Sequence, residues 1–171
     1  MDYLINFATG ADPQRVKDLV LERWSLDPAS VYAGSADDMG PGPGLDVMIL
    51  RGQAPGSEFD TEFSGSDDFA AACGRMSELE LTTLLCHELG ARALISDGGR
   101  AVQPRMLVTP DGWHGRVVVD EESLDEGEFK ILYAYQPVPA APEIPVQDPP
   151  EWQVGWYEDG KIPESGYLDP D

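Results

Sequence analysis

The sequence has few basic residues for its length. Its 171 residues include 11 Lys and Arg against 32 Asp and Glu, which leaves a net charge of −21. Proteins that bind DNA, RNA or anionic membrane surfaces use Lys and Arg to neutralise phosphates, whereas a surplus of carboxylates repels those polymers. We therefore expect no nucleic-acid or membrane partner. Solubility, a cationic protein partner and a metal ion all remain explanations for the charge.

Cysteines and long apolar runs are also scarce. The two cysteines, Cys73 and Cys86, lie 13 positions apart without a zinc-type spacing, which predicts reduced thiols. No apolar stretch approaches the ~18 residues of a transmembrane helix. The first apolar run has no basic region before it, so we expect no signal peptide. These features together predict a cytoplasmic protein.

The two histidines do not stand in a catalytic motif. His87 and Glu88 match the first half of a zinc-protease signature, but Ala91 occupies the position of the second histidine, beyond the helix-breaking Gly90. No Gly-x-Ser-x-Gly nucleophile elbow is present near His87 or His114. We expect no metal, no cofactor and no enzymatic activity, with an enzyme that uses acids and a histidine as the alternative.

Apolar periodicity predicts an α+β fold. Segments with strand and helix periodicity follow one another in the order β-α-β-β-β-α-β-β-β-β. This order favours a largely antiparallel sheet with two to three helices packed on one face. The most apolar strand, 45–52, is expected near the centre of the sheet. The predicted core is Ile5, Val20, Trp24, Val47, Ile49, Leu81, Leu85, Leu89, Ile95, Leu107, Val118 and Ile131.

Capping and turn residues predict where several elements begin and end. Asp12 is expected to cap the first helix, and Ser66 or Asp67 the second helical stretch. Gly74 is expected to break that stretch in two, and Gly90 to end it. The turn sequence Pro-Asp-Gly at 110–112 predicts a β-hairpin.

Proline content divides the chain into two regions. Residues 1–136 are predicted to form a single α+β domain, and residues 137–171 a Pro-rich acidic tail with aromatic residues. Six prolines in 137–150 exclude this stretch from a central strand. Deleting the tail is expected to leave a folded domain unless its tryptophans dock, and 156–162 are compatible with a small hairpin. The tail also suggests an assembly or scaffold protein that presents a peptide ligand.

Six carboxylates without a cation fall within nine residues, in the sequence "DEESLDEGE" at 120–128. The spacing does not match an EF-hand, because Leu124 stands at a ligand position and Asp125 at the glycine position. The cluster is therefore either a solvated connection between strands or a contact surface for cations. Its members are Asp120, Glu121, Glu122, Asp125, Glu126 and Glu128.

Two features favour the contact surface. The segment 92–116 carries four arginines against two aspartates, so charge is segregated along the chain. The alternative is that these arginines pair with the chain's own acids. Trp113 next to a hairpin turn suits an exposed interface anchor, unless the tail folds over it.

The chain resembles the small acidic immunity proteins of bacterial toxin systems. The resemblance covers roughly residues 80–135 and lies in the chain's size, its α+β order, the segments "ALISDGG" and "PRMLVTPDG", and the acidic "VVVDEESLDEGE" that follows them. It implies a protein that acts by covering the active surface of a cationic toxin, such as a nuclease. It supplies no catalytic residue. The expected partner-binding residues are the six carboxylates of 120–128 and Trp113.

Overall fold

The computed structural model describes residues 3–40, 44–52, 54, 56–98, 104–155 and 165–168. These residues form an α+β fold built on one mostly antiparallel sheet of nine strands, as the periodicity predicts. The strands are β1 Tyr3–Phe7, β2 Val31–Gly34, β3 Val47–Arg51, β4 Thr61–Gly65, β5 Ala93–Ser96, β6 Pro104–Val108, β7 Trp113–Val119, β8 Ile131–Ala134 and β9 Gly166–Tyr167. The helices are α1 Pro13–Trp24, α2 Asp67–Ala72, α3 Glu78–Leu89, α4 Glu121–Asp125 and α5 Glu151–Val154.

The strand order is β2-β3-β4-β1-β5-β6-β7-β8, and β9 pairs with the beginning of β7. Only β2 and β3 pair in parallel within this described sheet. The expectation that 45–52 lies near the centre was wrong, because β3 is second from an edge. A run of apolar residues indicates that both faces of a strand are apolar, but it does not determine the strand's position in the sheet.

The helix ends agree with the capping residues. The Asp12 carboxylate accepts hydrogen bonds from the N–H groups of Gln14 and Arg15. The Ser66 side chain caps α2, and Gly90 ends α3 in the left-handed conformation, with φ 63°. The helical stretch is interrupted between α2 and α3, where Gly74 has φ 75°, which confirms the predicted break.

A first core lies between the sheet and the three helices α1, α2 and α3. It contains eight of the twelve predicted core residues together with both cysteines, whose thiols are free, as predicted, and packed as small apolar groups. Trp24, the last residue of α1, is only half-buried, as is Ile131 in strand β8 near the other edge. The predicted residues that are buried are Ile5, Val20, Val47, Ile49, Leu81, Leu85, Leu89, Ile95, Leu107 and Val118.

A second core lies on the opposite face of the sheet. There Leu94, Leu107 and Val117 are fully buried, and residues of the Pro-rich segment and of α4 pack on the same cluster. The sheet is thus covered by α1, α2 and α3 on one face and partly by α4 and the turn-containing Pro-rich segment on the other. The other members of this cluster are Phe59, Trp113, Val119, Ala134, Val138, Ala141 and Ile144, with Ala8, Leu124, Phe129 and Ile131 against it.

The first part of the Pro-rich segment is docked on the domain and contains turns, in which the Ala141 N–H donates to the Val138 carbonyl and the Ile144 N–H to the Ala141 carbonyl. Val138, Ala141 and Ile144 are all buried in the second core. The N–H of Ala134 donates to the Pro145 carbonyl at 2.8 Å, which joins the segment to β8. Removal of 137–171 therefore removes part of a core. Trp152 is 65% exposed, whereas Trp156 and the suggested hairpin at 156–162 lie outside the described residues.

Candidate interaction surface

The acidic stretch at 120–128 folds as the short helix α4 between β7 and β8. The Asp120 carboxylate caps it by accepting hydrogen bonds from the Ser123 N–H at 3.3 Å and the Ser123 hydroxyl at 2.7 Å. Leu124 packs against the second core. The connection is therefore anchored at its beginning by a cap and in its middle by an apolar side chain.

A second carboxylate of the stretch, that of Glu128, forms an ion pair with another residue of the chain. The Glu128 carboxylate lies 3.0 Å from the Lys130 ammonium, and its side chain is only 12% exposed. The charge and hydrogen bond of Glu128 raise the pKa of Lys130, with smaller contributions from Glu126 and Asp120. Asp120 and Glu128 therefore have structural partners, which the linear sequence did not distinguish from the other four acids.

The remaining four carboxylates of the stretch face solvent. Glu121, Glu122, Asp125 and Glu126 are exposed, and in the described part of the chain none of them lies within ion-pair distance of a cation. Glu121, Glu122 and Asp125 belong to α4, and Glu126 caps its C-terminal end. The position of this helix is fixed by the Asp120 cap and by Leu124. We call these four residues the α4 patch. Its negative charge is available to a partner.

Trp113 does not belong to this surface. Its side chain is 4% exposed and packs in the second core, so the expectation of an exposed anchor was wrong. Strand β9 pairs Tyr167 with Trp113, and Gly115 leaves the space that the indole ring occupies. The alternative, that the tail covers the ring, is the arrangement observed, since Val138 lies in the same cluster.

The described arginines of 92–116 lie against the chain itself. Arg92 is 3.4 Å from the Glu143 carboxylate. Arg105 lies over the Phe129 ring at 5.6 Å, and burial lowers its pKa although Asp97 acts in the opposite direction. Arg116 is buried at 6% exposure, and Arg100 lies outside the described residues. The described arginines that make the segment 92–116 net positive therefore contact the chain's own residues.

Each histidine has a different environment in the described part of the chain. His87 is exposed on α3, with Nδ1 3.3 Å from the Pro110 carbonyl. Burial, and then the charge of Arg116, lower the pKa of His114, while burial raises that of the Cys86 thiol. Within the described residues no three His, Cys, Asp or Glu side chains are placed to hold a metal ion.

Four surface clefts lie on the described residues. The largest of these four has a volume of about 520 Å³ and is lined in part by Arg15, Arg92 and Glu143. Neither histidine and neither cysteine lines any of these four clefts.

Comparison with family models, with curated proteins and with solved structures finds no match to this chain. Among the described helices, none combines the length and the apolar character needed to cross a bilayer.

Proposed function

We propose that this chain is an acidic inhibitory binding protein, with the role of an immunity protein that neutralises a cationic bacterial toxin such as a nuclease. The observation that carries the proposal is the α4 patch, in which four exposed carboxylates project from one anchored helix. The site requires no cofactor and no catalytic residue, because inhibition consists of covering the partner's surface.

Electrostatics explains why such a patch suits a nuclease. A nuclease presents Lys and Arg to bind phosphates, so carboxylates compete for the same surface. A net charge of −21 also attracts a cationic partner before contact. Charge steering of this kind raises association rate constants to roughly 10⁸–10⁹ M⁻¹s⁻¹ at low salt. Because the α4 patch is already anchored, little conformational entropy is lost on binding, which increases the affinity for the partner.

The experiment replaces Glu121, Glu122 and Glu126 together by Lys. We expect a free energy of unfolding within about 0.5 kcal/mol of wild type, because exposed charges contribute little to stability. Partners are recovered from the native cell extract with wild-type and variant protein, and association is then followed at several salt concentrations. The variant should recover less partner, associate more slowly and show a flatter salt dependence.

A matched control separates local charge from total charge. Asp18, Glu22 and Asp68 are exposed acids of the helical layer on the opposite face of the sheet, and replacing all three by Lys gives the same change in net charge. This control should retain partner recovery. Equal recovery by wild type and by the α4 variant would contradict the proposed role of the α4 patch.

A second candidate function is an assembly protein that presents its tail as a ligand. The observation in its favour is Trp152, which is 65% exposed beyond the docked segment. If a partner binds there, Trp152→Ala should abolish its recovery while the α4 variant retains it.

A further inference from the structure

Strand β3 is apolar on both of its faces. Val47 and Ile49 are fully buried in the first core, whereas Met48 and Leu50 point to the opposite face and are only half-buried. A strand with a solvated face normally alternates apolar and polar residues, and parallel pairs such as β2 with β3 occur where both faces are covered. The outer face of β3 therefore has the composition of a buried surface without being fully buried.

The pairing register continues this surface across four strands. Leu4, Ser64, Met48 and Tyr32 lie opposite one another in a first row. A second row consists of Asn6, Glu62, Leu50 and Gly34.

Part of these two rows is accessible. Leu4 is 44% exposed, although Leu94 and Leu107, farther along the same face, are completely buried in the second core. Among the described residues, the face is thus covered over β5, β6 and β7, whereas over β2, β3, β4 and β1 it keeps partly exposed side chains around the buried Ser64 and Asn6. We call the partly exposed members of the two rows the open sheet face: Leu4, Tyr32, Met48, Leu50 and Glu62.

Carboxylates lie within and around the open sheet face. Glu62 stands between Leu50 and Asn6, and neither row contains a Lys or Arg. At one end a cleft of about 270 Å³ is lined by Asp46 and Asp67 together with Met48. The apolar centre is therefore framed by negative charge.

A smaller cleft connects this face with α4. It has a volume of about 80 Å³ and is lined by Glu62 and Asp60 together with Gly127, which follows α4 in the chain. The open sheet face and the α4 patch are therefore neighbouring parts of one acidic surface.

Size and charge decide which occupant fits. Four strands about 4.8 Å apart and two rows of side chains give roughly 200 Å², which is enough for one α-helix some 10 Å wide. A specific interface buries about 800 Å² on each partner, so it must extend beyond the open sheet face. The α4 patch is the adjacent surface. A second copy of this chain, also with a net charge of −21, would be repelled.

We propose that the open sheet face binds a basic amphipathic helix of the partner. The apolar stripe of that helix packs on Leu4, Met48 and Leu50, and its Lys and Arg side chains pair with Glu62 and with the α4 patch. Such a helix adds a layer over a part of the sheet whose apolar side chains are only partly covered by the described residues. The inference rests on the proposed function, because it assigns the partner's chemistry to the same acidic surface.

The experiment uses the full chain and three designed 18-residue peptides, with binding followed by fluorescence anisotropy. One is an amphipathic Leu-Lys helix, one is a scrambled Leu-Lys peptide without an apolar stripe, and one is an amphipathic Leu-Glu helix. We expect the first to bind and the other two to bind at least about tenfold more weakly. Equal binding of the scrambled peptide would overturn the assignment of an amphipathic helix.

The variants test whether the open sheet face is the binding site. Leu4→Gln with Met48→Gln should weaken binding of the amphipathic Leu-Lys helix by about tenfold, and Glu62→Lys should weaken it as well. The matched control is Leu132→Gln with Val146→Gln, because these apolar residues are exposed to 49% and 50% elsewhere on the surface. The control should bind as wild type does. Thermal unfolding shows whether each variant is folded. If Met48→Gln does not fold, the single variants Leu4→Gln and Glu62→Lys are used for the same binding measurement.

The outcomes distinguish this inference from the proposed function. Loss of native-partner recovery in the α4 variant, with normal recovery and peptide binding in the open-face variants, would overturn the helix site and leave the proposed function standing. Normal recovery of the native partner in both sets would overturn both. A dimer in sedimentation that the Leu4 and Met48 substitutions dissociate would assign the face to a second copy and overturn the proposal.

Discussion

At the scale of single residues, the first core is organised around Phe69 of α2. The rings of Tyr3, Phe63 and Trp24 meet Phe69 edge-on, with centroids 5.8, 5.6 and 5.2 Å away. This geometry is favourable for aromatic pairs beyond the apolar area that they bury. It places the Phe69 ring against Gly65 at the end of β4, where a Cβ would lie 2.7 Å from Phe69 Cδ1.

Gly65→Ala should therefore destabilise the protein by about 1–3 kcal/mol, the usual cost of forcing an extra methyl group into a packed core. Gly40→Ala is the matched control, because among the described residues a Cβ at Gly40 meets no atom within 4 Å. Urea denaturation of the two variants measures the difference. A Gly65→Ala variant as stable as Gly40→Ala would show that Phe69 does not occupy this position.

At the scale of elements, the Pro-rich segment covers part of one face of the sheet, as a helix usually does in an α+β fold. Prolines remove backbone donors, so the segment cannot become a regular ladder strand, yet it covers apolar side chains of the sheet through Val138, Ala141 and Ile144. Its backbone also meets the edge of the sheet, where the Gln147 N–H donates to the Ala134 carbonyl at 3.0 Å. This contact shields the backbone of β8 from pairing with another chain.

Ile144→Ala should destabilise the protein by about 2–4 kcal/mol, because it leaves a cavity in the second core. Val146→Ala removes apolar carbon only two residues away, but Val146 is 50% exposed, and its effect should stay within about 0.5 kcal/mol. Thermal denaturation of both variants compares the stability lost at the buried Ile144 with that lost at the exposed Val146 of the same segment. Similar stabilities would mean that the segment does not contribute to the core.

At the scale of the whole molecule, negative charge exceeds what internal ion pairs can neutralise. The four ion pairs of the described residues are mostly exposed, and such pairs contribute about 0–1 kcal/mol each. A net charge of −21 on a chain of this size produces repulsion within the folded state. The same field that attracts a cationic partner therefore reduces the stability of the unbound protein.

The melting temperature should consequently rise with ionic strength. Sodium chloride shortens the screening length from about 30 Å at 0.01 M to about 8 Å at 0.15 M, which weakens repulsion between separated carboxylates. Differential scanning calorimetry over this range measures the rise. The two triple Lys variants each have three fewer negative and three more positive charges, so their melting temperatures should rise less with salt. A melting temperature independent of salt would contradict the repulsion.

The sequence by itself determined the order of the elements from β1 to β8, apart from the short helix α4, and many of their ends. Asp12, Ser66 and Gly90 act on backbone groups only a few residues away. The Pro-Asp-Gly turn joins strands that are neighbours in the sequence. The effects of these residues can therefore be predicted from the local sequence. The buried stripes of β1 and α3 follow in the same way, because their apolar spacing matches the period of each element.

Only the tertiary structure decided the position of β3 in the sheet, the burial of Trp113 and the roles of the six carboxylates at 120–128. Each depends on residues far away in the chain: β2 beside β3, the tail over Trp113, and Lys130 beside Glu128. The open sheet face is likewise a product of strand order, since it joins residues of four strands that are separated in sequence. Local spacing specifies which side of a strand is apolar, whereas long-range packing specifies what, if anything, covers it.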